Sequence, residues 1–187
     1  MQIAGFTLQD VIHSHGDTVV SAAVDAQGQP VVLKILDSDQ PAPEQLARWR
    51  HEYTLLRGLD SEWVIKARDL LSVDRSLVLV LENFGPHNLA QLIERQLLDP
   101  SERLTLAIQL CDALSAVHQA RLIHGDVAPK NVLVDLKAMR LKLCDFGLAT
   151  RLDSELRRSS EGPPRGTLEY LSPEQTGRTN LAVDYRS

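Results

Sequence analysis

Through the first 82 positions, apolar residues fall into short runs separated by polar turns. Residues 6–12 and 19–24 read as strands. The turn signal Ala26-Gln27-Gly28-Gln29 leads into a third strand over 31–36. A polar, proline-bearing break over 37–43 precedes Leu46, Trp49, Tyr53 and Leu56, whose spacing predicts an amphipathic helix over 44–57. Residues 64–73 and 77–81 predict two more strands around the turn Asp74-Arg75.

The pattern then changes. Asn83-Phe84-Gly85-Pro86 is a hinge-like break, and a short helix is predicted over 88–97. Asp99-Pro100-Ser101-Glu102 is a helix start: Asp99 can cap, Pro100 suits the first turn, and Glu102 completes a capping box. Leu104, Ala107, Ile108, Cys111, Leu114 and His118 follow as one expected buried stripe, with Cys111 in the core. Two short apolar runs, 131–134 and 141–144, precede a polar, irregular tail from Leu148. The organisation is a five-strand, one-helix part over 1–82, a hinge over 83–86, and a mostly helical part over 87–187. Two lobes around a crevice are expected to hold a small-molecule ligand there.

Composition narrows the picture. Hydrophobic residues make up 43 % and charged residues 24 %, the balance of a soluble globular chain rather than a disordered one. No apolar run reaches the roughly 18 residues of a membrane-spanning helix, and the first ten residues lack a signal-peptide pattern. A net charge of −5 argues against a general nucleic-acid binder. Two cysteines make neither a disulfide framework nor a zinc site, so a cytoplasmic setting is expected.

Four groups of residues carry chemistry. Lys34 is the one charge within 31–36 and needs a partner or a ligand, and Glu52 shares the inner face of the helix over 44–57. A snorkelling lysine and a surface glutamate are the plainer alternative. Asp126 and Asn131 lie five apart in a loop, where a carboxylate can accept a hydroxyl proton and an amide can bind a metal, although turn chemistry explains the same residues. Asp145-Phe146-Gly147 puts a carboxylate at a strand end, where it can ligate Mg²⁺. Residues 166–174 end in a Ser-Pro-Glu helix start.

Taken in order, Lys34, Glu52, Asp126, Asn131, Asp145 and Glu174 resemble the signature of a eukaryotic-type Ser/Thr protein kinase domain. Val31-Val32-Leu33-Lys34 resembles its strand-three lysine motif, His124-Gly125-Asp126 with Asn131 its catalytic loop, Asp145-Phe146-Gly147 its magnesium motif, and Ser172-Pro173-Glu174 the close of its activation segment. The wording over 166–178 resembles the kinase modules at the front of large bacterial kinase–ATPase–sensor histidine kinase proteins.

The resemblance implies an α+β, bilobal fold: a small lobe with a five-stranded antiparallel sheet and one helix, and a mostly helical, incomplete large lobe. It implies ATP and Mg²⁺ as cofactors, a protein substrate with a Ser/Thr acceptor, and further domains of a larger signalling protein. Lys34, held by Glu52, would grip the α/β-phosphates. Ile12, Val20, Val32 and Leu133 would join the cofactor-binding set, with Leu81 as gatekeeper and Glu82, Asn83 and Phe84 as the hinge meeting adenine. Asp126 would deprotonate the acceptor hydroxyl, Lys130 would assist, Asn131 and Asp145 would hold Mg²⁺, and Thr167 would line the acceptor site.

The sequence departs from the family pattern in four places. His13, His15 and Thr18 stand where phosphate-loop glycines are expected, leaving Gly16 alone. Gly125 replaces the arginine that reads an activation-segment phosphate, so switching through phosphorylation of Ser159, Ser160 or Thr167 by that route is not expected. Ala128 replaces a lysine, with Lys130 two residues later, as in tyrosine kinases. The sequence stops at Ser187 within what resembles the start of a central helix, before the arginine that pairs with Glu174, so a truncated form of a larger protein and a partly uncovered helix over 100–120 are expected. Arg157, Arg158 and Arg165 read as a solvated, mobile stretch. The alternatives are a pseudokinase that binds nucleotide or a partner, and a small-molecule kinase of the aminoglycoside or choline type.

Overall fold

The computed structural model describes residues 3, 5–74, 76–155, 166–179 and 181–187. The expectations for Arg75, Arg157, Arg158, Ser159, Ser160 and Arg165 fall outside these residues. The chain divides into two compact units, 1–58 with 65–83, and 59–64 with 84–187.

The first unit is built on alternation. Strands β1 (Phe6–His15), β2 (Thr18–Asp25) and β3 (Pro30–Leu36) pair antiparallel in sequence. After α1 (Pro43–Gly58) come β4 (Ala67–Val73) and β5 (Ser76–Glu82), and β5 inserts beside β3 to give the order β1-β2-β3-β5-β4. Because side chains alternate across a sheet, one face of β3 carries Val31, Leu33 and Ile35. These pack with Ala23, Val78 and Val80 into a core closed by Ile3, Phe6, Leu8 and Val19. The opposite face carries Val32 and Lys34. α1 buries Trp49, Leu55 and Leu56 together with Glu52. The expected strand over 64–73 begins only at Ala67: Val64 belongs to the second unit, where it bridges Leu143.

The second unit begins with β6 (His87–Asn88) and α2 (Leu89–Glu94), whose capping box, Asn88 with Gln91, went unread in the sequence. α3 (Pro100–Gln119) starts as its sequence predicts: the Glu102 N–H donates to Asp99 Oδ1 and the Asp99 N–H to Glu102 Oε2, both at 2.8 Å. Then come β7 (Leu122–Ile123), β8 (Val132–Asp135), β9 (Arg140–Leu143), β10 (Thr150–Arg151) and α4 (Leu152–Glu155). β6, β8 and β9 form one small sheet, and β7 pairs with β10.

The expected buried stripe of α3 is corrected. Leu104 and Ile108 are 64 % and 57 % exposed, and Cys111 is exposed rather than in the core. The helix buries Leu106, Ala113 and Val117 instead. α3 carries two apolar stripes, and the one that packs is the one facing β7 and β9. Gln109 fixes that orientation, donating to the Met139 carbonyl at 2.8 Å and accepting from the Leu141 N–H at 3.0 Å. Among the described residues, the tail after Leu148 holds two 3-10 turns, Leu168–Tyr170 and Glu174–Thr176. Among the described residues no helix is long and apolar enough to cross a membrane.

Candidate active site

In the first unit, Lys34 and Glu52 meet. Lys34 Nζ donates to both Glu52 carboxylate oxygens at 2.9 Å, with the side chains 14 % and 3 % exposed. The strand aims Lys34 away from the Val31–Leu33–Ile35 core, and helical periodicity turns Glu52 inward beside Trp49, whose ring centroid lies 5.4 Å from Nζ.

Register places other expected residues on the same face. Val20 lies opposite Lys34, and Val32 lies opposite Leu81. Val32 and Lys34 are two apart, so Val20, Val32, Lys34 and Leu81 share one side of the sheet. His13 lies opposite Val20 on this side as well. Ile12 sits in a register shift of β1 and is 52 % exposed. The β1–β2 ladder runs to the pair His15–Thr18, leaving only Gly16 and Asp17 to turn the chain. Glu82 accepts from the Lys66 N–H through Oε1 at 2.8 Å and returns its own N–H to the Lys66 carbonyl at 2.9 Å.

The second unit gathers Asp126, Lys130, Asn131 and Asp145. Asn131 Nδ2 donates to the Asp126 carbonyl at 2.8 Å and to Asp126 Oδ2 at 2.9 Å. Lys130 Nζ stands 3.9 Å from Oδ2, its side chain 52 % exposed. Asp126 Oδ1 accepts the Thr167 N–H and the Thr167 hydroxyl, each at 2.7 Å. The Cys144 N–H donates to the Asn131 carbonyl at 2.9 Å, which brings Asp145 beside Asn131. Asp145 adopts a left-handed backbone, φ 60° and ψ 70°, a conformation that is strained for a residue with a side chain. Leu133 lies in β8, half-buried, and the Phe84 ring packs 5.2 Å from Lys142 Nζ.

His124 ties these loops together. It is 1 % exposed, and the Asp126 N–H donates to its Nδ1 at 3.3 Å, so the ring proton resides on Nε2 and donates to the Cys144 carbonyl at 3.1 Å. Its edge-to-face contact with Phe146 spans 4.6 Å between centroids. Burial pushes its pKa below the usual 6.5, against the opposing pull of the Cys144 carbonyl and the Asp145 and Asp126 carboxylates.

A small divalent cation suits the donors of this loop cluster. With the Asn131 amide nitrogen engaged on Asp126, its carbonyl oxygen would be the ligating end, and Asp145 would supply a carboxylate. Mg²⁺ takes one or two such hard oxygens and completes its shell with water and phosphate. Among the described residues no three His, Cys, Asp or Glu side chains gather into a closed metal cage.

Sequence reasoning missed Gln175. Its Nε2 donates to the Gly125 carbonyl at 2.9 Å, and its Oε1 accepts from the Ser172 N–H and hydroxyl, both at 3.1 Å. The signal was present: Ser172 and Gln175 stand at capping-box spacing. Glu174, expected to pair with an arginine, accepts the Ser187 hydroxyl, which pulls its carboxyl pKa down.

Comparison with known proteins places these residues in a family. A model of the protein kinase domain matches residues 15–185. A Streptomyces coelicolor protein, serine/threonine-protein kinase PkaB, is 33 % identical over 154 residues, covering 78 % of this chain and 37 % of its own length. Serine/threonine-protein kinase PknL of Mycobacterium tuberculosis is 34 % identical over 173 residues, 91 % of this chain and 43 % of its length. Probable serine/threonine-protein kinase PknB of Corynebacterium glutamicum is 32 % identical over 178 residues, 91 % and 27 % respectively. The chain thus spans less than half the length of these relatives.

Proposed function

The chain belongs to the protein kinase domain family, and from that premise we propose that it is a Ser/Thr protein kinase module within a larger signalling protein. The reaction is transfer of the γ-phosphoryl group of ATP, with Mg²⁺, to a protein hydroxyl. The observation that carries this reading is Asp126, whose Oδ1 accepts a threonine hydroxyl at 2.7 Å, the reach a general base needs. An acceptor hydroxyl brought within the same reach of this carboxylate would give its proton to it. The names of the relatives support Ser/Thr over Tyr.

When bound, MgATP supplies the phosphoryl group and the charge of the cation. The chain supplies position and electrostatics, which dominate in this class of reaction. Lys34, kept in place by Glu52, offers a fixed cation to phosphate oxygens. In the first unit Ile12, Val20, Val32, Leu81 and Glu82 would be the residues that meet the base, and in the second Phe84 and Leu133 would be. Asn131 orients the Asp126 carboxylate with its nitrogen, and its oxygen together with Asp145 would hold the cation. Lys130, half in solvent, adds positive charge 3.9 Å from Asp126.

The test is transfer of labelled phosphate from ATP to a Ser/Thr-containing protein, with Mg²⁺ and with EDTA. Asp126→Asn should lower the rate about 10²–10⁴-fold. Transfer that persists in the variant would sink the reading. One observation favours a second reading, a pseudokinase that binds nucleotide without transfer: the ladder closes over the tip of β1–β2, and His13 and His15 replace residues whose backbone could approach phosphate. Mg²⁺-dependent ATP binding lost in Lys34→Ala, with no transfer by the unaltered chain, would favour that reading.

A further inference from the structure

Asp126 is oriented from two directions. Asn131 holds Oδ2 from within the same loop, whereas both donors on Oδ1 come from Thr167, 41 residues downstream. Whatever seats residues 166–176 therefore sets the direction of the Asp126 carboxylate.

Two features seat that segment. Gly166 (φ 119°) passes so close to the loop that a Cβ there would lie 3.2 Å from Asp126 Oδ1 and 3.3 Å from the Gly125 carbonyl oxygen. Gln175 then spans 50 residues to donate to that same carbonyl at 2.9 Å, while its other end closes the Ser172 turn. The amide is used at both ends, a task that neither a carboxylate nor an ammonium can perform.

Gly125 offers no side chain to bind. Its φ is 79°, and a Cβ would lie 2.7 Å from the Leu148 carbonyl oxygen, so this backbone admits no side chain before Asp126. What faces the segment is a carbonyl oxygen, which accepts an N–H and repels a phosphate.

We propose that Gln175 is the positioning residue of this site: it latches residues 166–176 onto the catalytic loop, keeps Thr167 on Asp126 Oδ1, and does so without phosphorylation of the chain. The effect on transfer rests on the kinase reading; the latch itself does not.

The experiment is amide hydrogen exchange at Thr167 in phosphatase-treated chain, beside Gln175→Met and Gln175→Glu. Methionine keeps the length without the amide. Glutamate keeps the acceptor for Ser172 and loses the donor to Gly125, so the local turn survives. The fluorescence of Trp49 and Trp63 reports whether each variant is folded. Thr167 should be protected in the dephosphorylated chain and exchange about fivefold faster in both variants, the factor one net hydrogen bond supplies. For phosphate transfer, kcat should fall by a similar factor while the KM for ATP is unchanged. Rapid Thr167 exchange in the dephosphorylated chain, or equal protection in the folded Gln175→Glu variant, overturns the latch. Protection lost in the variants with no transfer by any form upholds the latch and overturns the kinase reading.

Discussion

Glu52 and Asp126 are both buried carboxylates, 2 % and 9 % exposed, and they are held in opposite ways. Glu52 meets a cation head on: both its oxygens take the Lys34 ammonium at 2.9 Å, from a strand and a helix whose geometry is regular. Asp126 is surrounded by neutral donors, Thr167 and Asn131, all set on loops, and its nearest cation stands off at 3.9 Å. A carboxylate locked in an ion pair fixes another group in place. A carboxylate held by neutral donors on loops has oxygens that can change partners, which proton transfer requires. The same side-chain chemistry thus does scaffolding in one unit and, on the kinase reading, would be poised for reaction in the other.

The largest expected effect lies on the scaffolding side. Lys34→Met leaves Glu52 buried without this cation and should cost about 3–5 kcal/mol, read as a drop in the urea midpoint followed at Trp49. Lys34→Met combined with Glu52→Leu should recover much of that loss, because two apolar side chains replace a pair whose desolvation was itself unfavourable. If the double variant is less stable than the single, the pair is a stabilising unit in its own right and the contrast with Asp126 weakens.

Next in size is a test of the loops. Gly125→Ala forces a side chain into a left-handed backbone and against the Leu148 carbonyl oxygen at 2.7 Å. About 2–3 kcal/mol should be lost from the second unit, followed at Trp63, and Thr167 should lose its protection on Asp126. Gly16→Ala is the control: φ is positive there too, at 53°, but nothing lies within 4 Å of the added Cβ, so only the backbone term of about 1 kcal/mol remains. Equal losses at the two positions would mean that conformation alone, and not the close approach at the catalytic loop, demands glycine at 125.

These sites also differ in how far the sequence reveals them. Lys34 and Glu52 are legible because strand and helix periods dictate which way each points. The start of α3 is legible because a capping box is a local pattern. The buried face of α3 is not: two apolar stripes compete, and the choice is made by β7 and β9, which lie beyond the helix in sequence. Thr167 can be placed near the acceptor by resemblance, but its two bonds to Asp126 depend on how residues 166–176 pack. The local half of Gln175, its capping-box spacing with Ser172, is legible; its bond to the Gly125 carbonyl is not, for the same reason. The left-handed backbone of Asp145 has only a weak signature: aspartate tolerates that conformation better than most residues, but most aspartates do not adopt it.

The smallest expected effect is a pH dependence at the loop-built site. Buried His124 is held neutral, with Nδ1 accepting from Asp126 and Nε2 donating to Cys144, and its pKa lies below 6.5 when folded. As pH falls below 6.5, the unfolded imidazole takes up a proton that the folded one refuses. The unfolded state then binds more protons, so stability declines with falling pH, by at most about 1.4 kcal/mol per pH unit for one group. The decline stops once pH drops below the folded pKa. Urea midpoints of the second unit at pH 7.5, 6.5 and 5.5, followed at Trp63, should therefore be nearly level over the first interval and fall over the second. His118, which burial shifts in the same direction, adds to the slope, so the decisive comparison is with His124→Gln. Glutamine keeps a donor and an acceptor without titrating here, and should flatten most of the decline. An unchanged slope in that variant would assign the pH dependence to His118 and leave the Asp126 loop insensitive to protons above pH 5.5.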